Sequence, residues 1–358
     1  MVVYILLAGI VGLLALYETG QKTKRDMNMF QVCLVAFLLV VGLRYGHGDY
    51  PTYEMGFNNR IDVGGDKGYY QVQLFFEWLG FSFQDFVFII TLFSVFAFYK
   101  TYRLISWPIF GMAVILGKFF TFYAMSGIRQ YIAMAICWWA ISELLLNKRK
   151  LLFLVMVLCA YTFHGSAIII LPVYFIRNLK FSYKMTFLII IVASVVGYGW
   201  RFFFEQLFEF SDLAEERFGS YYRYTVYHGG GSMNMINYVE NLLFLVFALW
   251  VRKSAVQRNQ YYDFFLYMYI IYCGFLIAGS DVGVVKRLRD YYAISYAVIV
   301  PYFVFLFKGS FPKRLFKVVL VAYFILLMFR SLSVYDAGII PGSPNKMVPY
   351  KSVFVLLK

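Results

Sequence analysis

The chain has 358 residues, of which 62% are hydrophobic, 22% aromatic and only 15% charged. Soluble domains are roughly half apolar and a quarter charged, so this composition excludes a soluble globular protein. The formal net charge of +14 is spread over short basic clusters between apolar runs, which favours the charge bias of a membrane protein over nucleic-acid binding. The four cysteines have no metal-ligand spacing, so we predict neither a disulfide framework nor a metal site.

Apolar runs that cross or nearly cross a membrane recur along the whole sequence. A hydrocarbon core about 30 Å thick needs about 20 helical residues, so the runs predict an all-α, polytopic integral membrane protein with about 11–12 transmembrane helices. We expect a single membrane domain over residues 1–358. The runs occupy residues 1–19, 28–45, 84–103, 104–126, 129–147, 151–163, 166–177, 184–204, 236–251, 261–280, 291–307 and 312–331.

Basic residues set the orientation of these runs. Alternate connections contain QKTKRD, YKTYR, NKRK, RNLKFSYK, VRKSAVQR and KGSFPKR. Short loops rich in Lys and Arg remain in the cytoplasm. The loops 46–83 and 205–235 and the tail 332–358 are therefore predicted to be extracytoplasmic.

Two consecutive runs, 151–163 and 166–177, are too short to span a membrane, since a helix rises only 1.5 Å per residue. Their junction reads YTFHGSA. We expect a bent hairpin with His164 and Ser166 at its tip, below the outer surface. Irregular backbone at that depth survives where it is buried in protein or lines a wet cavity, which indicates a site.

Unusual polar residues gather on the predicted outer face. Arginine is prominent among them, and its planar guanidinium suits bidentate recognition of phosphate. An arginine-lined cleft that opens outward indicates a phosphate-bearing ligand presented from the membrane, and nearby tyrosines could stack on sugar faces. The alternative for each arginine is a side chain that reaches the lipid headgroups, and for each tyrosine a place in the interfacial belt. His164 could equally be a buried histidine with its hydrogen bonds satisfied.

Five stretches occur in an order that matches a known family: GLRYGHGDYPTY, SGIRQYIAMAI, AYTFHGSAIIILP, KRLRDYY and a final VPY. Their succession resembles the EpsG/Wzy family of bacterial polysaccharide polymerases. The first stretch departs from the family pattern by one residue fewer between its second glycine and Asp49. The resemblance covers nearly the whole chain and implies a GT-C-like membrane fold.

The resemblance implies a metal-independent glycosyltransferase with no cofactor, in the bacterial inner membrane with its active site facing the periplasm or exterior. It would join oligosaccharide repeat units carried on undecaprenyl pyrophosphate, which serve as donor and acceptor, and release undecaprenyl pyrophosphate. Membrane lipid is a further expected partner, and a chain-length regulator protein could be another. The base is His164 or Asp49. The expected substrate-binding residues are Arg44, Tyr45, Tyr50, Tyr53, Arg129, Gln130, Ser166, Arg287, Arg289, Tyr291 and Arg330.

Other functions remain open from the sequence. An O-antigen ligase has the same chemistry with a different acceptor, but such enzymes usually carry a larger outer loop. A flippase or transporter of lipid-linked glycan often has internal repeats, and none is evident here. A membrane acyltransferase would leave the arginines unexplained.

Overall fold

The computed structural model describes residues 1–192, 195, 235–279, 283–338 and 346–354. Within these ranges the chain is helical and has no strand, only an isolated antiparallel bridge between Arg44 and Ser352. The predicted loop 205–235 lies outside the described residues except at its last position. The chain divides into two compact units, one of Met1–Leu171 with Tyr296–Lys358 and one of Pro172–Ser295.

The first unit begins with eight α-helices, the last of which leads into a short 3₁₀ helix, Gly165–Ile170. These are α1 Val2–Tyr17, α2 Lys24–Gly42, α3 Tyr50–Asn58, α4 Lys67–Trp78, α5 Phe83–Thr101, α6 Pro108–Phe119, α7 Ile128–Leu146 and α8 Lys150–Phe163.

The second unit contains α9 Val173–Ile176, α10 Tyr183–Val192, α11 Met235–Val256, α12 Tyr262–Gly279 and α13 Gly283–Asp290. Helix α14, Ile294–Ile299, crosses the boundary between the units, and α15, Ser310–Ala337, belongs to the first unit.

The all-helical, multi-pass architecture predicted from the sequence is confirmed. Among the described residues, four helical segments are long and apolar enough to cross a membrane: Lys24–Gly42, Phe83–Leu104, Met235–Val256 and Ser310–Ala337. Shorter apolar helices include Val2–Tyr17, Pro108–Ala124 and Lys150–Phe163. The bent element around His164 also forms as predicted, because α8 ends at Phe163 and a 3₁₀ helix follows.

Helix α7 forms the centre of the first unit. It buries 15 of its 19 residues and packs against α5 and α8. Small residues such as Ala133 and Ala140 have no exposed surface, so neighbouring helices approach closely. Arg129 lies in the first turn of this helix, and a rigid element therefore fixes its backbone.

Local side chains begin several helices. Ser82 and Asp85 form a capping box at the start of α5, which satisfies N–H groups that lack helical partners. Both carboxylate oxygens of Glu18 accept from the first amides of α6, those of Ile109 and Phe110, each at 3.0 Å. Glu18 therefore ties the connection between α1 and α2 to the end of α6 that we predict to be cytoplasmic.

Three details differ from the sequence-based expectation. The connection 46–83 contains two helices, α3 and α4, rather than irregular loop. The predicted span 291–307 is not one helix but a 3₁₀ turn, α14 and a second 3₁₀ helix from Val300 to Leu306. Pro301 lacks the N–H that a continuous α-helix would use. Arg330 does not end the last helix, because α15 continues to Ala337.

Candidate functional site

Arg44 lies just beyond the end of α2 and is buried, with 1% of its surface exposed. Its Nη1 donates to the carbonyl of Val41 in the last turn of α2. Its Nε has no hydrogen-bond partner, and no ion pair involves Arg44 in the described part of the chain. Burial lowers the pKa of this guanidinium. A buried cation without a carboxylate is costly, so Arg44 is an unusual feature of the interior.

The buried surroundings of Arg44 are aromatic and polar. Tyr50, Tyr69, Tyr131 and Tyr350 are titratable side chains close enough to influence its pKa. The Tyr69 hydroxyl and the Gln73 amide nitrogen, one turn apart on α4, are also buried without partners. Unpaired buried donors call for an explanation, such as water or a ligand that the described groups do not supply.

The segment 346–354, which we call the C-terminal segment, lies along the first motif. The backbone of Tyr45 donates to Lys351 O at 3.1 Å, and that of Val353 donates to Leu43 O at 3.0 Å. These bonds flank the bridge between Arg44 and Ser352. The final VPY stretch is therefore in contact with the GLRYGHGD stretch, although the two are far apart in sequence.

His47 connects to the same segment through both ring nitrogens. Its Nε2 accepts from the Lys351 N–H at 2.7 Å, so the proton of the neutral ring is on Nδ1, which lies 2.8 Å from Lys346 O. The ring stacks on Tyr350 with centroids 5.3 Å apart. Burial lowers the pKa of His47, which favours the neutral form that this hydrogen-bond pattern requires.

Helices on either side anchor the C-terminal segment. The Asp336 carboxylate in α15 accepts from the amides of Met347 and Val348 at 2.6 and 2.9 Å. The Tyr4 hydroxyl in α1 donates to Met347 O at 2.8 Å, and that of Tyr350 donates to Val40 O at 2.9 Å. The segment thus joins α1, α2 and α15 beneath the first motif.

Asp49 connects the first motif to the second. Its side chain is exposed, and its Oδ2 accepts from the Ser126 hydroxyl at 2.9 Å. Ser126 directly precedes the GIRQ sequence. Gly48 has φ +60°, and a Cβ there would lie 2.8 Å from Cβ of Ser126. The glycine therefore permits both the turn and the close approach that brings Asp49 to Ser126.

Arg129 is held from two sides. Its Nη1 lies 2.5 Å from Oδ2 of Asp66, and each side chain is 16% exposed. Its Nε donates to the Tyr53 hydroxyl at 3.3 Å, and the guanidinium carbon lies 5.6 Å from the centre of the Tyr53 ring. The neighbouring Gln130 is buried.

His164 lies at the turn between α8 and the following 3₁₀ helix and is half-buried. Its Nδ1 accepts from the Ser166 amide at 3.4 Å and lies 2.9 Å from the Ser166 hydroxyl. An Nδ1 that accepts from an amide places the proton of a neutral ring on Nε2. The other Asp66 oxygen, Oδ1, accepts from the Gly165 amide at 3.4 Å, so Asp66 reaches both the second and the third motif.

The predicted sugar-binding tyrosines are mostly enclosed. Tyr50 and Tyr53 are 1% and 6% exposed. The Tyr50 hydroxyl donates to Gln84 Oε1 at 3.0 Å, and its ring contacts that of Tyr45 at 5.3 Å. These contacts enclose the rings within the first unit, and a role for them in sugar stacking stays a prediction.

The remaining predicted site residues are described by their own surroundings. Arg330 is exposed on α15 of the first unit. Arg287, Arg289 and Tyr291 belong to the second unit. Arg287 is exposed, whereas Arg289 is buried, pairs with Asp290 at 3.1 Å and lies over the ring of Tyr272. Tyr291 is fully buried.

Sequence reasoning missed Asp66, Ser126 and the C-terminal partners of His47. A signal for Asp66 existed, since an arginine near a membrane needs an opposite charge and the connection 46–83, which contains Asp66, is predicted on the same side of the membrane as Arg129. His47 carried no such signal, because its partners are backbone atoms of distant residues.

Comparison with known proteins identifies one family. The family model described as the EpsG family matches residues 27–352. This range includes all five stretches on which the resemblance rests. No curated protein and no solved structure matches the chain.

Proposed function

The chain belongs to the EpsG family, and from this premise we propose that it polymerises oligosaccharide repeat units linked to undecaprenyl pyrophosphate, at the outer face of the bacterial inner membrane. Membership of the family gives it a polymerase-type role in polysaccharide biosynthesis, and the apolar helices make it a multi-pass membrane protein. The lipid carrier, the side of the membrane and the roles of individual residues are the proposal.

One observation carries the proposal: three motifs that are distant in sequence come together through two carboxylates. Asp49 of the first motif accepts from Ser126, which adjoins the second. Asp66 contacts Arg129 of the second motif and the amide of Gly165 in the third. Cationic, acidic and imidazole groups therefore lie on connected elements of one unit, as acid–base chemistry on a phosphorylated substrate requires.

The proposed reaction is a glycosyl transfer. A hydroxyl oxygen of one repeat unit attacks the anomeric carbon of the other, the bond from that carbon to the pyrophosphate oxygen breaks, and its electron pair leaves with undecaprenyl pyrophosphate. Charge grows on the leaving group, where fixed guanidinium groups stabilise the transition state most. Arg129 and Arg44 are the proposed cations.

The attacking hydroxyl must lose its proton to a base. Asp49 is our candidate, because its exposed carboxylate can accept a proton from a substrate that approaches from outside. His164 fits the role of base less well, because its Nδ1 already accepts from the Ser166 amide.

The test is reconstitution of the purified protein with cognate lipid-linked repeat units and separation of the products by length. Wild-type protein should give a ladder, and Asp49→Asn and Arg129→Ala should lose it. Arg60→Ala is the matched control, since it removes an arginine from an exposed ion pair with Glu77 in the same region. Absence of a wild-type ladder contradicts the proposal.

A deletion strain separates polymerase from flippase. Loss of a polymerase leaves single repeat units on the cell surface, whereas loss of a flippase leaves no surface glycan. A product with one glycan joined to lipid A core would instead indicate a ligase.

A further inference from the structure

Asp66 is the residue in this site whose role the proposed reaction leaves unassigned. Its two oxygens face different elements: Oδ2 contacts Nη1 of Arg129 at the start of α7, and Oδ1 accepts from Gly165 N after α8. Its side chain is only 16% exposed. One carboxylate therefore fixes the distance between the second and third motifs.

The loop that carries Asp66 is pressed against both motifs. Gly64 has φ +104°, and a Cβ at this position would lie 2.3 Å from Arg129 Nη1. A Cβ on Gly68 would lie 2.1 Å from the Thr162 hydroxyl, in the last turn of α8. Only residues without a side chain allow this approach, so contacts on both sides of Asp66 determine its position.

The contacts of Arg129 leave part of its guanidinium available. Asp66 engages Nη1 and Tyr53 engages Nε, while Nη2 makes no hydrogen bond in the described part of the chain. A guanidinium presents its N–H donors in one plane. Once Nη1 and Nε are held, the direction of Nη2 is fixed as well.

We propose that Asp66 is a positioning residue: it orients Arg129 so that the Nη2 edge presents its N–H groups to a phosphate, and it holds the turn after His164 beside that edge. This role rests on the proposed function, because the phosphate is that of the lipid-linked substrate. The carboxylate itself takes no part in bond making. It acts by preorganisation, that is, by holding Arg129 in place before the substrate binds. A misplacement of about 1 Å can lower the reaction rate roughly a hundredfold.

A competing role makes the opposite prediction. A carboxylate that merely occupies the phosphate position would compete with the substrate, and its removal would strengthen phosphate binding. A positioning carboxylate would weaken both binding and turnover when removed. The sign of the change in affinity therefore decides between the two.

The first experiment measures binding of geranylgeranyl pyrophosphate, a short prenyl pyrophosphate, to the purified protein in detergent. Asp66→Asn keeps the shape and removes the charge, and it should weaken binding about tenfold, with partial recovery in Asp66→Glu. Asp62→Asn is the control. Asp62 lies in the same loop and accepts from the Gly65 amide. An asparagine oxygen can also accept this bond, so Asp62→Asn should bind geranylgeranyl pyrophosphate as tightly as wild type does. Equal or tighter binding by Asp66→Asn overturns the proposal.

The second experiment tests whether Asp66 acts through Arg129. In a double-mutant cycle, Asp66→Asn should have a much smaller effect on binding in an Arg129→Lys background than in wild type. Full additivity overturns the assignment. Hydrogen exchange gives an independent readout: the amides of 163–167 should exchange faster in Asp66→Ala, which removes the acceptor for the Gly165 amide, and at the wild-type rate in Asp62→Asn.

Failure of this inference is distinguishable from failure of the proposed function. Wild-type ladders together with wild-type binding by Asp66→Asn and wild-type exchange in Asp66→Ala would refute the positioning role alone. Absence of wild-type ladders would refute the polymerase, while the binding and exchange measurements would still decide the role of Asp66.

Discussion

The backbone N–H of Lys351 donates to Nε2 of His47 over 2.7 Å, across 304 residues of sequence. The other ring nitrogen of His47 contacts Lys346 O. One buried imidazole thus holds both parts of the C-terminal segment against the first motif, and its removal leaves buried backbone groups unpaired.

We predict that His47→Ala lowers the free energy of unfolding by about 1–3 kcal/mol, the cost of unsatisfied buried donors and acceptors. Denaturant or thermal unfolding in detergent measures the change. Lys346→Ala is the control, because His47 uses only the backbone carbonyl of that residue. A loss from His47→Ala no larger than that from Lys346→Ala would contradict this role of the imidazole.

The stability that His47 provides should depend on pH. Burial depresses its folded-state pKa, whereas in the unfolded chain the pKa is about 6.5. Below that pH the unfolded state binds more protons than the folded state. The contribution of His47 to the free energy of unfolding is therefore full above about pH 6.5 and declines as the pH falls. The difference in Tm between wild type and His47→Gln, measured from pH 8 to 5, should shrink toward acid. A constant difference would contradict the depressed pKa.

Arg44→Met should change the free energy of unfolding by less than about 1 kcal/mol. The gain from removing a buried cation that has no carboxylate offsets the loss of the hydrogen bond to Val41. Activity should nevertheless fall at least about a hundredfold if Arg44 serves the pyrophosphate. Thermal unfolding and ladder formation measured on the same preparations test both parts. A large loss of stability with retained specific activity would make Arg44 structural.

Two glycines of the first motif offer a matched comparison. Gly46 and Gly48 both have positive φ, but a Cβ on Gly46 meets nothing within 4 Å, whereas one on Gly48 meets Ser126. The free energy of unfolding of each alanine variant should fall by about 1–2 kcal/mol, because alanine is strained at positive φ. Only Gly48→Ala should also reduce activity severely, because it separates Asp49 from Ser126. Equal activities would show that this contact is dispensable.

Much of the fold was predictable because apolar runs and membrane thickness determine helix length. The break at His164 was predictable too, since its flanking runs are short. Helix α4 was missed because it buries only Tyr69 and Gln73, a stripe too weak to recognise, and α3 because it has only nine residues. The break near Pro301 was hidden within continuous apolar sequence.

The candidate site was predictable in its residue types but not in its pairings. Motif order indicated Arg129, His164 and Asp49. It did not indicate that Asp66 contacts both Arg129 and the amide that follows His164. The return of residues 346–354 to the first motif depends on backbone atoms, and backbone hydrogen bonds carry no residue-specific pattern. Only the three-dimensional arrangement of α1, α2 and α15 reveals it.

The contact between His47 and Lys351 also sets an order of events during synthesis. A ribosome that adds about 5–20 residues per second reaches Lys351 roughly 15–60 s after His47. Throughout that interval the first motif lacks the backbone partners that complete it. The contact that joins the two ends of the first unit therefore forms only after α15, the last helix, has been synthesised.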